Sequence, residues 1–134
     1  MIEFKHLTDY TPLLKWLTPE LISQTAVAMP DWFKPHHAYG VYYDGELIGW
    51  MEAFNIEGTT CEVGIALPGK NGVSQQVSTK FIDWLFSKGF TKLTCKVYIN
   101  NVPGLKSAIA AGFSITQIKT NDRGLPYYEM ERGA

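Results

Sequence analysis

The sequence predicts an α/β domain whose mixed central sheet has about seven strands and which carries about four helices. β-rich and helical runs alternate along the chain, which is typical of this class. The run Thr60–Leu67 is followed by a long amphipathic helix, Ser74–Lys88, and a helical crossover of this kind makes the strands on either side of it parallel. Asp44-Gly45 lies between two other β-rich runs and predicts an antiparallel hairpin. The sheet is therefore expected to be mixed.

The length and the composition fit one domain that spans residues 1–134. The chain is 46% hydrophobic, has a formal net charge of −1, and shows no repeat or low-complexity linker. Its Lys and Arg residues are scattered, so nucleic-acid binding is not expected. Because no signal-peptide-like or membrane-spanning apolar run is present, we expect a cytoplasmic protein without a membrane partner.

The cysteines and histidines predict no special chemistry. Cys61 and Cys95 fall in predicted strands and are expected to be buried, unreactive thiols. The adjacent His36 and His37 would point to opposite faces of a strand, and no Cys or His has metal-ligand spacing. No metal site is therefore expected.

The N-terminal part is predicted to hold one strand and two short helices. Ile2–His6 alternates apolar and polar residues, as a half-buried strand does. A hydroxyl or carboxylate cap begins each helix, and Pro19 occupies the favourable first position of the second one. The expected helix boundaries are Thr8 or Asp9 to Trp16 and Thr18 to about Ala28. Residues 29–38 are expected to form a loop.

The remainder of the chain is predicted to hold six strands and two helices. The expected strands are Tyr39–Tyr43, Glu46–Phe54, Thr60–Leu67, Thr91–Ile99, Phe113–Lys119 and Pro126–Arg132. Turns at Asp44-Gly45 and Asn55–Gly58 separate the first three of them. The helix Ser74–Lys88 has an apolar stripe and stops before a glycine, and the helix Pro103–Ala111 ends in the same way at Gly112.

A glycine-bearing turn, residues 68–74, joins the fourth strand to the long helix. The turn contains Gly69 and Gly72, and Ser74 is a further small residue. The first N–H groups of a helix have no partner inside it, and together with the positive helix end they bind anions such as phosphate. The turn therefore outlines a phosphate site, although glycines of this kind also occur in ordinary connecting loops.

A second pattern follows at a fixed distance from the first. Asn101 ends the fifth strand, and Gly112-Phe113 follows the short helix. An Asn side chain can supply both donors and acceptors where neighbouring strands separate. In this order and spacing, the residues from Glu62 to Phe113 resemble the acyl-CoA-binding core of the GNAT superfamily, the acyl-CoA-dependent N-acyltransferases. The small size and the C-terminal pattern also resemble the acyltransferase-like proteins of tailed phages.

This resemblance implies acetyl-CoA as the co-substrate and suggests its contacts. The pantetheine would pass between two splayed strands, the ones that end at Leu67 and Asn101. The main chain of Ile65, Ala66 and Leu67 would align the thioester and stabilise its oxyanion. The residues implied to bind the pyrophosphate are Lys70, Asn71, Gly72, Val73 and Ser74.

Two positions depart from the family pattern. Gly69 stands where the family has Arg or Gln, and Ala108 stands where it often has the Tyr that protonates the CoA thiolate. A hydroxyl such as that of Ser107 or a water molecule can replace the Tyr, or the thiolate can leave unassisted. The third reading is that catalysis has been lost.

Transfer of an acyl group to an amine requires a group that accepts the amine proton. Glu62, on the fourth strand ahead of the segment implied to hold the acetyl group, is the first candidate, and Glu52 on the third strand is the second. Tyr98 is a candidate acid or acceptor-binding group. For all three residues a structural role is the alternative, because strand carboxylates are often solvated and strand tyrosines often complete a core.

The aromatic loop 29–38 resembles in position the acceptor-side loop of the family. Trp32 and Phe33 are therefore expected to wall the substrate pocket, or alternatively to cover an open edge of the core.

Two functions of different classes follow. The first is an N-acetyltransferase that moves an acetyl group from acetyl-CoA to a primary amine of a small molecule or a protein. The second is a non-catalytic acyltransferase-like protein that acts in phage head assembly, in the host cytoplasm or the virion, or as a regulatory or interaction module. A near-neutral chain does not select the acceptor, and the final strand, Pro126–Arg132, offers an edge for a possible homodimer.

Overall fold

The computed structural model describes residues 1–7, 11–16 (without the side chain of residue 14), 38–67, 69 and 72–134. These residues form one seven-stranded sheet with helices packed on it. The strands are β1 (Ile2–His6), β2 (Ala38–Tyr43), β3 (Glu46–Glu57), β4 (Thr60–Ala66), β5 (Lys92–Tyr98), β6 (Ser114–Thr120) and β7 (Pro126–Gly133). The helices are a 3₁₀ helix (Thr11–Trp16), α1 (Ser74–Ser87) and α2 (Val102–Ala110).

The sheet is mixed, as predicted, and its strand order is β1-β2-β3-β4-β5-β7-β6. β4 and β5 are parallel because α1 carries the chain back across the sheet between them. The other neighbouring pairs of described strands are antiparallel. The parallel pair β4 and β5 therefore lies near the middle of the sheet, with antiparallel pairs on both sides of it.

Apolar side chains bury both faces of the sheet. On one face α1 packs its stripe, which includes the fully buried Val77 and Phe81, against the strands and forms the larger core. On the opposite face the 3₁₀ helix inserts Leu13 beside Trp50 and Ala66, and these residues belong to a second, smaller cluster. We refer below to these two surfaces as the helix face and the opposite face.

The predicted strands are confirmed with shifts of a few residues at their ends, and the described residues hold three of the about four predicted helices. Where the helix expected from Thr8 or Asp9 to Trp16 is described, over Thr11–Trp16, it is a 3₁₀ helix. Its six residues include Pro12, and segments this short commonly adopt the tighter helix. The helix expected from Thr18 lies outside the described residues. No described helix is long and apolar enough to cross a lipid bilayer.

The turn expected at Asn55–Gly58 begins later than predicted. β3 continues to Glu57, and a bulge between Phe54 and Glu57 shifts its register against β4. Asn55 has a positive φ of 48° inside this bulge, a conformation that Asn tolerates better than most residues. The bulge brings the Asn55 side chain to β4, where it becomes part of the candidate site.

The final strand does not lie at an edge of the sheet. β7 pairs with β5 on one side and with β6 on the other, so its backbone is occupied within the chain. Among the described strands, the edges are β1 and β6. The expectation that the final strand offers an edge for a homodimer is therefore wrong.

Candidate active site

β4 and β5 separate shortly after they begin. Their ladder consists of three residue pairs, and the last of these is Glu62 with Thr94. Beyond this point the two parallel strands run on without pairing to each other, although β4 remains paired with β3 and β5 with β7. The predicted splay is therefore present, and it opens a gap between residues 63–67 and residues 95–99.

The backbone of β4 is available on the gap side. The Ala66 carbonyl oxygen lies against β3, so close that a Cβ added at Gly49 would meet it at 2.1 Å. Because neighbouring residues of a strand direct their peptide groups to opposite sides, Ile65 turns its N–H and C=O toward the gap. Ala66, in contrast, directs its carbonyl away from it. Leu67 follows β4 at the same side of the gap and is partly buried against the larger core.

No side chain of a described residue caps the N-terminus of α1. Val73 is the N-cap residue and supplies no hydrogen-bonding side chain, so the first N–H groups of the helix have no described side-chain acceptor. Gly72 has a φ of +81°, and a Cβ added there would meet no described atom within 4 Å. The Oγ atoms of Ser74 and Ser107 lie 3.3 Å apart, which connects α1 to α2. Open space next to uncapped N–H groups suits an anion.

Asn101 has a structural contact that the sequence did not reveal. Its Oδ1 accepts a hydrogen bond from the Gly104 N–H at 3.1 Å and thereby caps α2. The carbonyl half of the side chain is therefore engaged in starting the helix. The residue follows β5, which ends at Tyr98, and its cofactor contact stays a prediction from the sequence.

Glu62 belongs to the last β4–β5 residue pair, where the gap begins, and its carboxylate has two polar partners. Its Oε1 accepts a hydrogen bond from Asn55 Nδ2 at 3.0 Å and lies 3.6 Å from Lys96 Nζ. Its side chain is only 12% exposed. An amide donor and a cation therefore both lie beside the Glu62 carboxylate.

Glu52 is less well compensated. Its Oε1 accepts one hydrogen bond, at 3.3 Å, from the indole N–H of Trp50. Burial raises the pKa of Glu52 from 4.5 to about 7, the Trp50 hydrogen bond lowers it, and the charge of Glu62 raises it further. Near neutral pH the Glu52 carboxyl is therefore close to the midpoint of its titration.

The two carboxylates share the opposite face of the sheet. Glu52 pairs with Gly64 across the β3–β4 ladder, and Glu62 pairs with Phe54, so the glutamates are diagonal neighbours. Gly64 has no side chain, and the Phe54 ring, at 3.9 Å, is the one described group that a Cβ added there would approach. As far as the described residues show, this position leaves room beside Glu52, just beyond the last β4–β5 residue pair.

Tyr98 ends β5 and belongs to a second polar cluster. Its hydroxyl oxygen accepts hydrogen bonds from Asn121 Nδ2 at 2.9 Å and from a terminal nitrogen of Arg123 at 2.8 Å. Asn121 Oδ1 in turn accepts from the N–H groups of Arg123 and Leu125, which fixes the β6–β7 turn. The Tyr98 ring is buried and packs in the core. Because its hydroxyl oxygen accepts both hydrogen bonds, its O–H proton is free to be donated.

Some predicted site residues lie outside the described part of the chain. The predicted pyrophosphate contacts of Lys70 and Asn71 and the predicted acceptor wall of Trp32 and Phe33 belong to this group. They remain predictions from the sequence.

The two positions that depart from the family pattern have packing explanations. A Cβ at Gly69 would lie 2.8 Å from the Trp16 ring and 2.9 Å from the Ile48 backbone, so no Arg or Gln side chain fits there without rearrangement. Ala108 packs partly buried against the larger core. Neither position supplies a polar group to the gap.

Four polar residues of these clusters were missed in the sequence analysis. They are Asn55, Lys96, Asn121 and Arg123. Nothing in the sequence near Arg123 indicates that this residue meets the end of β5. The alternation of β5 places Lys96 and Tyr98 on one face, which was the one available signal.

The two cysteine thiols lie on the face of the sheet opposite to the candidate carboxylates. Cys61 and Cys95 are buried and free, as expected, and their alternation places them on the helix face. Burial raises the pKa of Cys61 to about 11 and that of Cys95 to about 12, so both remain protonated near neutral pH. No cluster of metal-ligating side chains occurs among the described residues.

Comparisons with known proteins identify the fold. No protein-family model matches the sequence, and no curated protein matches it. The structure resembles the aminoglycoside acetyltransferase AAC(6')-Ib in complex with coenzyme A and kanamycin, with a TM-score of 0.80, 15% identity, and coverage of 99% of this chain and 95% of that one. It also resembles the N-acetyltransferase PseH from Campylobacter jejuni, with a TM-score of 0.73, 22% identity, and coverage of 98% and 97%.

A third similar structure is spermidine N-acetyltransferase from Vibrio cholerae in complex with CoA and spermine. Its TM-score is 0.65 at 18% identity, and the match covers 72% of this chain and 64% of that one. All three structures are acetyltransferases of the GNAT fold. The chain therefore has the GNAT acetyltransferase fold, which confirms the predicted fold class.

Proposed function

We propose that this protein is an acetyl-CoA-dependent N-acetyltransferase that acts on a primary amine. The observation that carries the proposal is the gap between β4 and β5, with an uncapped helix N-terminus at Gly72–Ser74 and a carboxyl of raised pKa, Glu52, on the opposite face. Solved structures of the same fold hold coenzyme A or acetyl-CoA, which supports the choice of co-substrate.

The residues present fit acetyl-CoA. The N–H groups at Gly72, Val73 and Ser74 would bind its pyrophosphate, because no described side chain caps them and no described atom lies within 4 Å of a Cβ added at Gly72. The pantetheine would lie between β4 and β5, where Ile65 turns its peptide group into the gap. The Ile65 N–H is then our candidate donor to the thioester oxygen, where negative charge develops during acyl transfer.

Glu52 is our candidate for the general base, in preference to Glu62. A general base works best when its pKa is close to the operating pH, and the pKa of Glu52 is about 7. Glu62 is already paired with Lys96 and Asn55, so it is better suited to attract a cationic amine than to take its proton. In this scheme the amine nitrogen attacks the thioester carbon, its proton passes to Glu52, and the C–S bond breaks to release CoA as a thiolate.

The leaving group does not depend on an acid at Ala108. A thiol has an ordinary pKa of about 8.5, so a thiolate is an adequate leaving group without a proton donor. Tyr98 remains our second candidate for contact with the acceptor, since its hydroxyl retains a proton to donate while Asn121 and Arg123 hold its oxygen.

Replacing Glu62 by glutamine separates the two candidate bases. The change removes a negative charge that raises the pKa of Glu52, so the acid limb of the pH–kcat/KM profile should move to lower pH while turnover at high pH is largely kept. The profile is measured by CoA release. A loss of about 10²-fold or more at every pH, with the limb unmoved, would instead identify Glu62 as the base.

The activity itself is tested by incubating the protein with acetyl-CoA and a panel of amines. The panel includes a polyamine, an aminoglycoside and a peptide with a free N-terminus, because AAC(6')-Ib was solved with kanamycin and the Vibrio cholerae enzyme with spermine. Mass spectrometry should detect an acetylated product for at least one of them. If acetyl-CoA binds and no amine in a broad panel is acetylated, the proposed activity is contradicted.

The second candidate function is a non-catalytic acyltransferase-like protein. Ala108 and Gly69 favour it, because both positions are filled by packing and neither offers a polar group to the gap. In that case CoA binding and acetyl transfer would both be absent, and the carboxylates would serve only the fold.

A further inference from the structure

β6 forms an exposed edge of the sheet. It pairs with β7 on one side, and no other described strand lies on its second side. All seven of its residues are exposed. An edge of this kind presents backbone N–H and C=O groups that another strand can bond.

The edge has only part of the protection that normally prevents pairing. Natural edge strands are commonly protected by proline, by charged side chains or by a bulge that twists the edge away. β6 has one such feature, a bulge between Ile115 and Gln117. β6 contains no proline, and its one charged residue, Lys119, already pairs with Glu129 at a distance of 2.9 Å. The strand is therefore open to a partner that matches its side chains.

A bulge gives β6 an apolar patch on one face. Thr116 is the extra residue, and its hydroxyl donates to the Glu129 carbonyl oxygen. As a consequence Ile115 lies opposite Met130 and Ile118 lies opposite Tyr128, on the helix face. Without the bulge, two residues three apart would point to opposite faces. Both isoleucines are exposed, Ile115 by 46% and Ile118 by 64%.

We propose that β6 pairs with β6 of a second copy of this chain, antiparallel and about a two-fold axis between Thr116 and Gln117. The stretch Ile115-Thr116-Gln117-Ile118 reads apolar, polar, polar, apolar in both directions, so an antiparallel copy matches it. Ile115 of one copy then lies opposite Ile118 of the other, and four isoleucines form one cluster on the helix face. Lys119 lies opposite Ser114, so no like charges meet.

This pairing joins the two sheets into one continuous sheet. Strands β5, β7 and β6 separate the gap between β4 and β5 from the new interface, so the proposal does not depend on the proposed function. A symmetric, isologous interface is the commonest arrangement in soluble homo-oligomers.

The test is sedimentation velocity across a wide concentration range. It compares the wild-type protein with variants that carry charged side chains at positions predicted to lie opposite each other. Wild-type protein should be dimeric. The double variant Ile115→Lys with Ile118→Lys puts lysines opposite each other twice and should weaken dimerisation by about 100-fold or more. The double variant Ile115→Lys with Ile118→Glu puts Lys opposite Glu and should restore the dimer.

Ile56→Lys is the matched control, because Ile56 is 47% exposed on β3, away from this edge. It should remain dimeric, and circular dichroism should show that every variant is folded. The proposal is overturned if wild-type protein is monomeric throughout, if the Lys/Lys variant still dimerises, or if the Lys/Glu variant behaves like the Lys/Lys variant.

Discussion

Replacing Glu52 by glutamine is expected to slow acetyl transfer by about 10²–10⁴-fold, the usual contribution of a general base. Glutamine keeps the size of the side chain and an oxygen for the Trp50 N–H, but it cannot accept the amine proton. The affinity for acetyl-CoA should be unchanged, because that binding depends on the turn and the backbone. Steady-state kinetics and a separate acetyl-CoA titration measure the two effects.

Glu57→Gln is the matched control, since Glu57 is an exposed glutamate on the same strand. It should retain full activity. The wild-type kcat/KM should also rise with pH through an acid limb near the Glu52 pKa of about 7, and this limb should be absent from Glu52→Gln. Undiminished turnover in Glu52→Gln would remove this residue from the mechanism.

The same substitution has a pH-dependent effect on stability. The fold raises the pKa of Glu52 above its ordinary value of 4.5, so the stability linked to its proton is fully present below pH 4.5 and is lost as pH rises through about 7. The full difference corresponds to roughly 3 kcal/mol. Glu52→Gln avoids this loss, and it should raise the free energy of unfolding on the order of 1–3 kcal/mol above about pH 8, with no gain near about pH 4.

Urea unfolding at both pH values measures this difference. Glu57→Gln again serves as the control, and it should follow the wild-type pH dependence. If Glu52→Gln has the same pH dependence as wild type, the carboxyl is not held near neutrality by burial, and the reason for choosing it as the base disappears.

Replacing Gly72 by valine is expected to weaken acetyl-CoA binding by about 100-fold or more. The side chain would occupy the open space beside the first N–H groups of α1, and each lost hydrogen bond to a charged phosphate is worth roughly 1.5–3 kcal/mol. Valine also disfavours the positive φ of this residue, so part of any effect can come from backbone strain.

Gly45→Val controls for that strain. Gly45 has a φ of +85° and open space around its Cβ position, but it lies in the β2–β3 hairpin. Both variants should lose a similar amount of stability in thermal unfolding, whereas only Gly72→Val should lose affinity in calorimetry. Equal affinity in the two variants would contradict the phosphate placement.

Local patterns predicted most of the fold. The alternation of Ile2–His6 and the Asp44-Gly45 turn depend on neighbouring residues, and β1 and the first hairpin were confirmed. The splay between β4 and β5 was implied by the resemblance and is present. Features that depend on residues far away in the sequence were harder to predict. The bulge at Asn55 is set by pairing with β4, and the position of β7 between β5 and β6 is set by pairing with those two strands. For this reason the turn and the edge were misplaced.

The candidate site was only partly predictable for the same reason. Glu52 and Glu62 were both identified, but their order of preference depends on burial and on partners such as Lys96, which the sequence does not display. The cluster of Tyr98 with Arg123 depends on a turn meeting the end of a strand that lies far away in the chain. Composition and spacing carry no information about such contacts.

Binding of acetyl-CoA in the gap between β4 and β5 is the property on which the proposed function depends most directly. Calorimetric titration of the wild-type protein with acetyl-CoA, and in parallel with CoA, measures it. We predict one site per chain for each ligand, with a dissociation constant within about 1 μM–1 mM, the usual range of substrate constants, and mutual competition between the two. Absence of binding by both ligands, in protein that is folded by circular dichroism, would contradict the account.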